Sequence, residues 1–148
     1  MARFFFQKGF TLLEMLLSVA LMGALAGLSL PVYQSFQVRN DLDIAATTLA
    51  QSIRRAEVLS QGSAGDTTWG VAIQSGSIVI FQGASYAVRD VTWDEVFSVP
   101  TSITVTGASE IIFAKVTGLP TTTPTITLST PINETRTLTI NTYGTVLY

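Results

Sequence analysis

The chain has no cysteine and no histidine among its 148 residues. The first absence excludes a disulfide framework and any thiolate site. The second removes the commonest general base and the commonest metal ligand. Charge is also scarce, with 12% of residues Asp, Glu, Lys or Arg against 47% hydrophobic. That scarcity has a location: no charged residue occurs from Met15 to Val38. At ~1.5 Å of rise per residue this run makes roughly 36 Å of helix, against a hydrocarbon core of ~30 Å. Beyond it, about 85 residues are left for one small domain with a modest core.

Glu14 stands at the head of the uncharged run. A lone carboxylate in lipid costs on the order of 3 kcal/mol or more, so it needs a partner. If the chain is cut after Gly9, the new α-amine of Phe10 lies one helical turn from Glu14. In an assembly of identical helices, the amine of one subunit can meet the carboxylate of its neighbour. The first nine residues contain Arg3 and Lys8 and no apolar core of their own. A Sec-type signal carries its apolar region before the cut, whereas here it follows, so the leader is lost and the hydrophobic segment stays. Arg3 and Lys8 hold the N-terminus in the cytoplasm, which turns everything beyond Val38 outward.

Lys8-Gly9-Phe10-Thr11-Leu12-Leu13-Glu14 resembles the class III signal of type IV pilins and type II secretion pseudopilins. The resemblance implies cleavage between Gly9 and Phe10 by a prepilin peptidase and N-methylation of Phe10. It implies that Glu14 docks an incoming subunit onto a growing filament at an inner-membrane assembly platform. An uncleaved signal anchor with an accidental Glu is the plainer alternative, and the cost of burying that Glu argues against it.

Within the run, Gly23, Gly27 and Pro31 fall at four-residue intervals. Pro31 lacks an amide hydrogen and its ring opposes the carbonyl of Gly27, which predicts a kink or local break. In pilins, as the resemblance implies, such residues let the segment melt and stretch during packing. Gly23-xxx-Gly27 also suits a close-packing face between membrane helices.

Past Arg39 the pattern turns amphipathic. Leu42, Ala46, Leu49, Ile53, Ala56 and Ser60 recur at helical spacing, with Asp43, Gln51, Arg54, Arg55 and Glu57 largely off that line. Gly62 is a plausible stop. From Asp66 the period shifts to β-branched alternation. Strands are predicted at Thr67–Ile73, Ser77–Phe81, Tyr86–Arg89, Val96–Val99, Ser102–Thr106, Glu110–Val116, Thr125–Ser129, Arg136–Ile140 and Thr145–Tyr148, with Gln74-Ser75-Gly76-Ser77 as a hairpin turn. The fold class is therefore α+β: a long N-terminal helix, membrane-spanning in its first half and amphipathic in its second, packed on an antiparallel sheet or small sandwich. Four segments follow: a cleaved leader (1–9), a membrane and filament-core helix (10–38), its amphipathic continuation (39–62) and a β-rich domain (63–148).

Arg54-Arg55-Ala56-Glu57, Trp69-Gly70-Val71 and Leu138-Thr139-Ile140-Asn141 before Gly144-Thr145-Val146 look like the GspH/FimT-type minor pilin domain. That family has a helix followed by two antiparallel sheets and sits at or near the filament tip. DNA-binding members resemble each other in a basic C-terminal segment, whereas Asn141 to Tyr148 has no basic residue. Without Arg3 and Lys8 the net charge falls from −2 to −4, which also argues against DNA.

Other candidates are weaker. Asp90, Asp94 and Glu95 form the densest acidic cluster, suited to Ca²⁺ oxygen ligation or to plain solvation on a loop. Arg54 and Arg55 make a candidate anion site or an ordinary charged helix face. Asn133-Glu134-Thr135 fits a glycosylation tripeptide, which recurs by chance. Trp69, Trp93, Phe81, Phe97 and Phe113 are expected in the core. Lys115 has no serine placed beside it by any motif, so a Ser-Lys hydrolase has no support. No catalytic constellation, cofactor site or metal site is visible. The reading is a structural, minor subunit of a type IV pilus or secretion pseudopilus, anchored in the inner membrane and then drawn into an extracellular or periplasmic filament. The alternatives are a tip-located binding module, contacting through Thr121–Pro124 and strand edges, and a membrane-anchored enzyme.

Overall fold

The computed structural model describes residues 9–147, without the side chains of residues 28–32. Two units divide at Gln37 and Val38. One helix, α1, runs from Leu12 to Gln61. Its helical backbone runs on past Pro31. A missing amide at one position removes a single rung of the ladder, and the neighbouring rungs carry the backbone through. The uncharged run includes residues 28–32, whose side chains lie outside the description. Among the described residues no helix is long and apolar enough to cross a membrane.

From Val38 onward α1 turns one stripe inward. Leu42, Ala46, Leu49, Ile53, Ala56 and Ser60 are all buried, together with Ala45 and Ala50. They meet two four-stranded antiparallel sheets. The first has the order β3-β2-β1-β5, built from β1 (Trp69–Gln74), β2 (Ser77–Gln82), β3 (Asp90–Ser98) and β5 (Glu110–Phe113). The second has the order β4-β6-β7-β8, from β4 (Thr104–Gly107), β6 (Thr125–Ser129), β7 (Thr135–Ile140) and β8 (Val146–Leu147). Val71, Ile73, Ile78, Ile80, Ile111 and Phe113 of the first sheet join Ile126, Leu128, Leu138, Ile140 and Val146 of the second in one core with the helix stripe. Alternation explains the faces: in β6 and β7, Ile126, Leu128, Leu138 and Ile140 are buried while the threonines between them face outward.

Several expectations need correction. Tyr86–Val88 is a short 3-10 turn, not a strand. It is held by Glu110, which accepts from the Tyr86 amide at 2.9 Å. The acidic cluster lies on a strand, not a loop, because β3 begins at Asp90. Trp93 is 56% exposed and Phe97 37%, so neither is core, whereas Trp69, Phe81 and Phe113 are buried. Both exposed aromatics sit on β3, an outermost strand.

Ser60 is the polar exception in the helix stripe. Its buried Oγ donates to the Phe113 carbonyl at 3.0 Å and accepts from the Trp69 amide at 3.0 Å, joining α1 to β5 and β1. Ser60→Ala would leave that amide buried without an acceptor. The expected loss is about 1–3 kcal/mol, read as a lower urea midpoint with unchanged slope.

Candidate functional site

Gly9 and Phe10 precede α1 in exposed, non-helical backbone, where an extended segment is open to a protease. Thr11 starts the helix. Its Oγ1 accepts from the Glu14 amide at 3.3 Å and its carbonyl from the Met15 amide at 3.1 Å. This is one half of a capping box, in which a Thr side chain satisfies an orphan amide of the first turn. The other half would return the Glu14 carboxylate to the Thr11 amide. Among the described residues nothing hydrogen-bonds or ion-pairs that carboxylate. It sits in the first turn of the helix. Gly9, Phe10, Thr11 and Glu14 line a hollow of about 330 Å³.

The helix beyond this hollow is bare. Leu13, Leu17, Val19, Met22 and Leu25 are each more than 60% exposed, although they point around the whole circumference. A helix apolar on every side is stable only when lipid or other helices surround it. Nothing lies within 4 Å of where a Cβ would stand at Gly23 or Gly27. Among the described residues these glycines therefore serve no packing contact. The helical assignment continues across them to Pro31 and beyond.

Several of the other charged sequence candidates form ion pairs. Arg55 grips Glu95 with two bonds, Nε to Oε2 at 2.7 Å and Nη2 to Oε1 at 2.6 Å. Its guanidinium pKa is pushed up, first by that hydrogen bond and then by the carboxylate's charge. Arg89 holds Asp94 at 2.8 Å and covers the Tyr86 ring at 3.8 Å. Asp90 accepts from the Thr92 amide at 3.0 Å, which lowers its pKa. With their oxygens so engaged, Asp90, Asp94 and Glu95 do not converge, and among the described residues no group of three or more His, Cys, Asp or Glu is placed to hold a metal. Lys115 pairs with Asp66, whose pKa is lowered by the ammonium's hydrogen bond and charge. Arg39 pairs with Glu134 at 2.7 Å and Arg136 with Asp43 at 2.8 Å, so both link α1 to the second sheet and its turn. Except for Arg89 and Asp94, five residues apart, sequence spacing could not reveal these pairs, because their partners lie 40 or more residues apart.

Comparison with known proteins agrees with this geometry. A family model, the prokaryotic N-terminal methylation motif, matches residues 5–30. Two proteins of Pseudomonas aeruginosa, each named "Fimbrial protein", are 30% identical over 87 residues, covering 53% of this chain and 56% of theirs. The chain thus spans little more than half the length of these curated relatives. No solved structure matches significantly. The chain is thus similar to the methylation motif in its N-terminal segment and to fimbrial proteins over about half of its length.

Proposed function

We propose that this chain is a structural subunit of a type IV pilus, made as a precursor and processed between Gly9 and Phe10. The observation that carries the reading is the pairing of a bare apolar helix with a Glu14 at its head whose carboxylate has no partner among the described residues. Each feature is unfavourable in an isolated chain, and packing among like helices removes both. The precursor would rest in the inner membrane with Arg3 and Lys8 on the cytoplasmic side and residues 10–38 across the lipid. A prepilin peptidase would release and N-methylate Phe10. The assembly platform would then draw the helix into a filament, where the Phe10 amine of one subunit meets Glu14 of the next. Gly23, Gly27 and Pro31, with no contacts of their own at the two glycines, would allow close approach or local melting there.

Two four-stranded antiparallel sheets beside one helix suit a GspH/FimT-type minor subunit, as does the absence of a basic C-terminal segment for a member that does not capture DNA. In a secretion pseudopilus the same helix would pack in the same way; the fimbrial relatives favour the pilus. The chain should be recovered in filaments sheared from cells that assemble pili, at a minor fraction of total subunit. Its restriction to the membrane fraction of piliated cells would contradict the proposal.

A further inference from the structure

The C-terminal end of α1 is held between two turns, one from each sheet. The turn after β5 donates the Val116 amide to the Ser60 carbonyl at 2.9 Å. It presents Gly118 to Gln61, and a Cβ at Gly118 would stand 2.3 Å from Gln61 Cγ. The turn between β7 and β8 presents Gly144, at φ 84°, to Glu57. A Cβ there would stand 3.0 Å from both Cδ and Oε1 of the carboxylate and 3.4 Å from Oε2. Glycine takes this left-handed backbone without strain and leaves that room. The Glu57 carboxylate therefore lies flat against the turn.

The turn gives this carboxylate little to bind. The amides of Tyr143 and Thr145 both donate to Asn141 Oδ1 at 2.9 Å, and that of Gly144 donates to the Asn141 carbonyl at 3.0 Å. Among the described residues Glu57 accepts one side-chain hydrogen bond, from Gln61 Nε2 at 3.3 Å, and enters no ion pair. Arg54, three residues back on the same helix, attracts it through space. The β7–β8 turn brings Tyr143 and no charged residue. The turn after β5 brings Lys115, which is paired with Asp66. Glu57 also stands four residues before the end of α1, near the pole of the helix that disfavours an anion. Partial burial pushes its pKa up, and Arg54 opposes the rise.

We propose that Glu57 is a proton-operated latch on the end of the second sheet: uncharged, it lets the β7–β8 turn close on α1, and ionised, it loosens that turn and β8 behind it. β8 has two residues and pairs with β7 at Thr139↔Leu147 and Ile140↔Val146, yet Val146 belongs to the core. So short a strand lies at the low-stability end of a fold, where a small electrostatic change decides how often it opens. Opening withdraws Val146 and bares the β7 edge. The folded chain holds the Glu57 proton more tightly than the unfolded one. The contribution of the closed latch is therefore whole below the ordinary carboxylate range and is lost as pH rises through the raised value. Asp66 and Asp90 are shifted the other way, so acid weakens their contacts while it closes this one. The latch lies within the β-rich domain, and its action does not depend on how the N-terminal helix is used.

The test is amide exchange of the full chain in detergent micelles, corrected for the intrinsic pH dependence of exchange and read at residues 141–147. Between about pH 4 and about pH 7, a span that brackets carboxylate titration, protection there should fall about two- to fivefold. That range is what one misplaced charge near a helix end supports. Glu57→Gln keeps the shape without the charge and should hold the low-pH protection throughout. Carbon-13 titration of the Glu57 carboxyl should give a midpoint above the ordinary Glu value. Wild-type protection that does not change with pH would overturn the proposal. So would an unchanged pH dependence in Glu57→Gln, which assigns the effect to another group, or a midpoint at or below the ordinary value. Protection lowered by Glu57→Gln at every pH would also overturn it, because the anion would then be what holds the turn.

Discussion

Glu14→Ala leaves cleavage after Gly9 intact and lowers incorporation into filaments by roughly a hundredfold. The magnitude follows from the pair it breaks. Removing one partner of a buried ion pair strands the other charge and costs about 3–5 kcal/mol, and each ~1.4 kcal/mol is tenfold in an equilibrium. Within the chain the substitution costs little. Among the described residues the Glu14 carboxylate has no partner, and the cap it shares with Thr11 runs through its backbone amide. Fold and processing should survive, and the defect should appear only as a shift of mature chain from sheared filaments to membranes. Glu14→Asp, which keeps the charge, should recover part of the loss. Wild-type recovery of the alanine variant in filaments would remove Glu14 from assembly.

Gly70→Val destabilises the β-rich domain by about 3 kcal/mol or more. Gly70 lies in β1 opposite Phe81 and Ile112. A Cβ there would stand 2.6 Å from Phe81 Cζ and 2.7 Å from the Ile111 carbonyl oxygen. Phe81 cannot swing aside, because it is fully buried and packed edge-on against Tyr86 at 5.6 Å between ring centres. The Ile111 carbonyl belongs to the neighbouring strand and moves only with the sheet. Overpacking of a dense core typically costs about 1–3 kcal/mol, and a branched side chain here meets backbone as well as ring. Thermal unfolding should shift down by roughly 10 °C or more. A shift within about 2 °C would mean that the ring and sheet yield more easily than the packing indicates.

Sequence periodicity carried much of this fold. The stripe from Leu42 to Ser60 was legible because a single apolar face at helical spacing is what a helix lying on a core produces. β1, β2, β6 and β7 were legible because β-branched residues alternate between clear turns. β3 was only half legible. Its Asp94-Glu95 step breaks the alternation and reads as a loop, whereas the structure neutralises both carboxylates with Arg89 and Arg55. Trp93 and Phe97 were misplaced for a related reason: bulk and apolarity predict burial, but an outermost strand has no neighbour to bury them. The groove they line between α1 and β3 was invisible, since its walls come from residues 48–65 and 69–97. The N-terminal motif was legible as well, matched by a family model over residues 5–30, because a short motif is a local property, readable without a fold.

The most direct measurement is the intact mass and N-terminal sequence of the chain, extracted from membranes of cells that also express an active prepilin peptidase. A mature chain beginning at N-methylated Phe10 is the predicted result, and it would place Glu14 one turn from a new amine in every subunit. A chain still beginning at Met1 beside a control substrate that the same peptidase has cleaved would contradict it. The N-terminal helix would then be an uncleaved anchor carrying an outward β domain, without the amine that the filament requires.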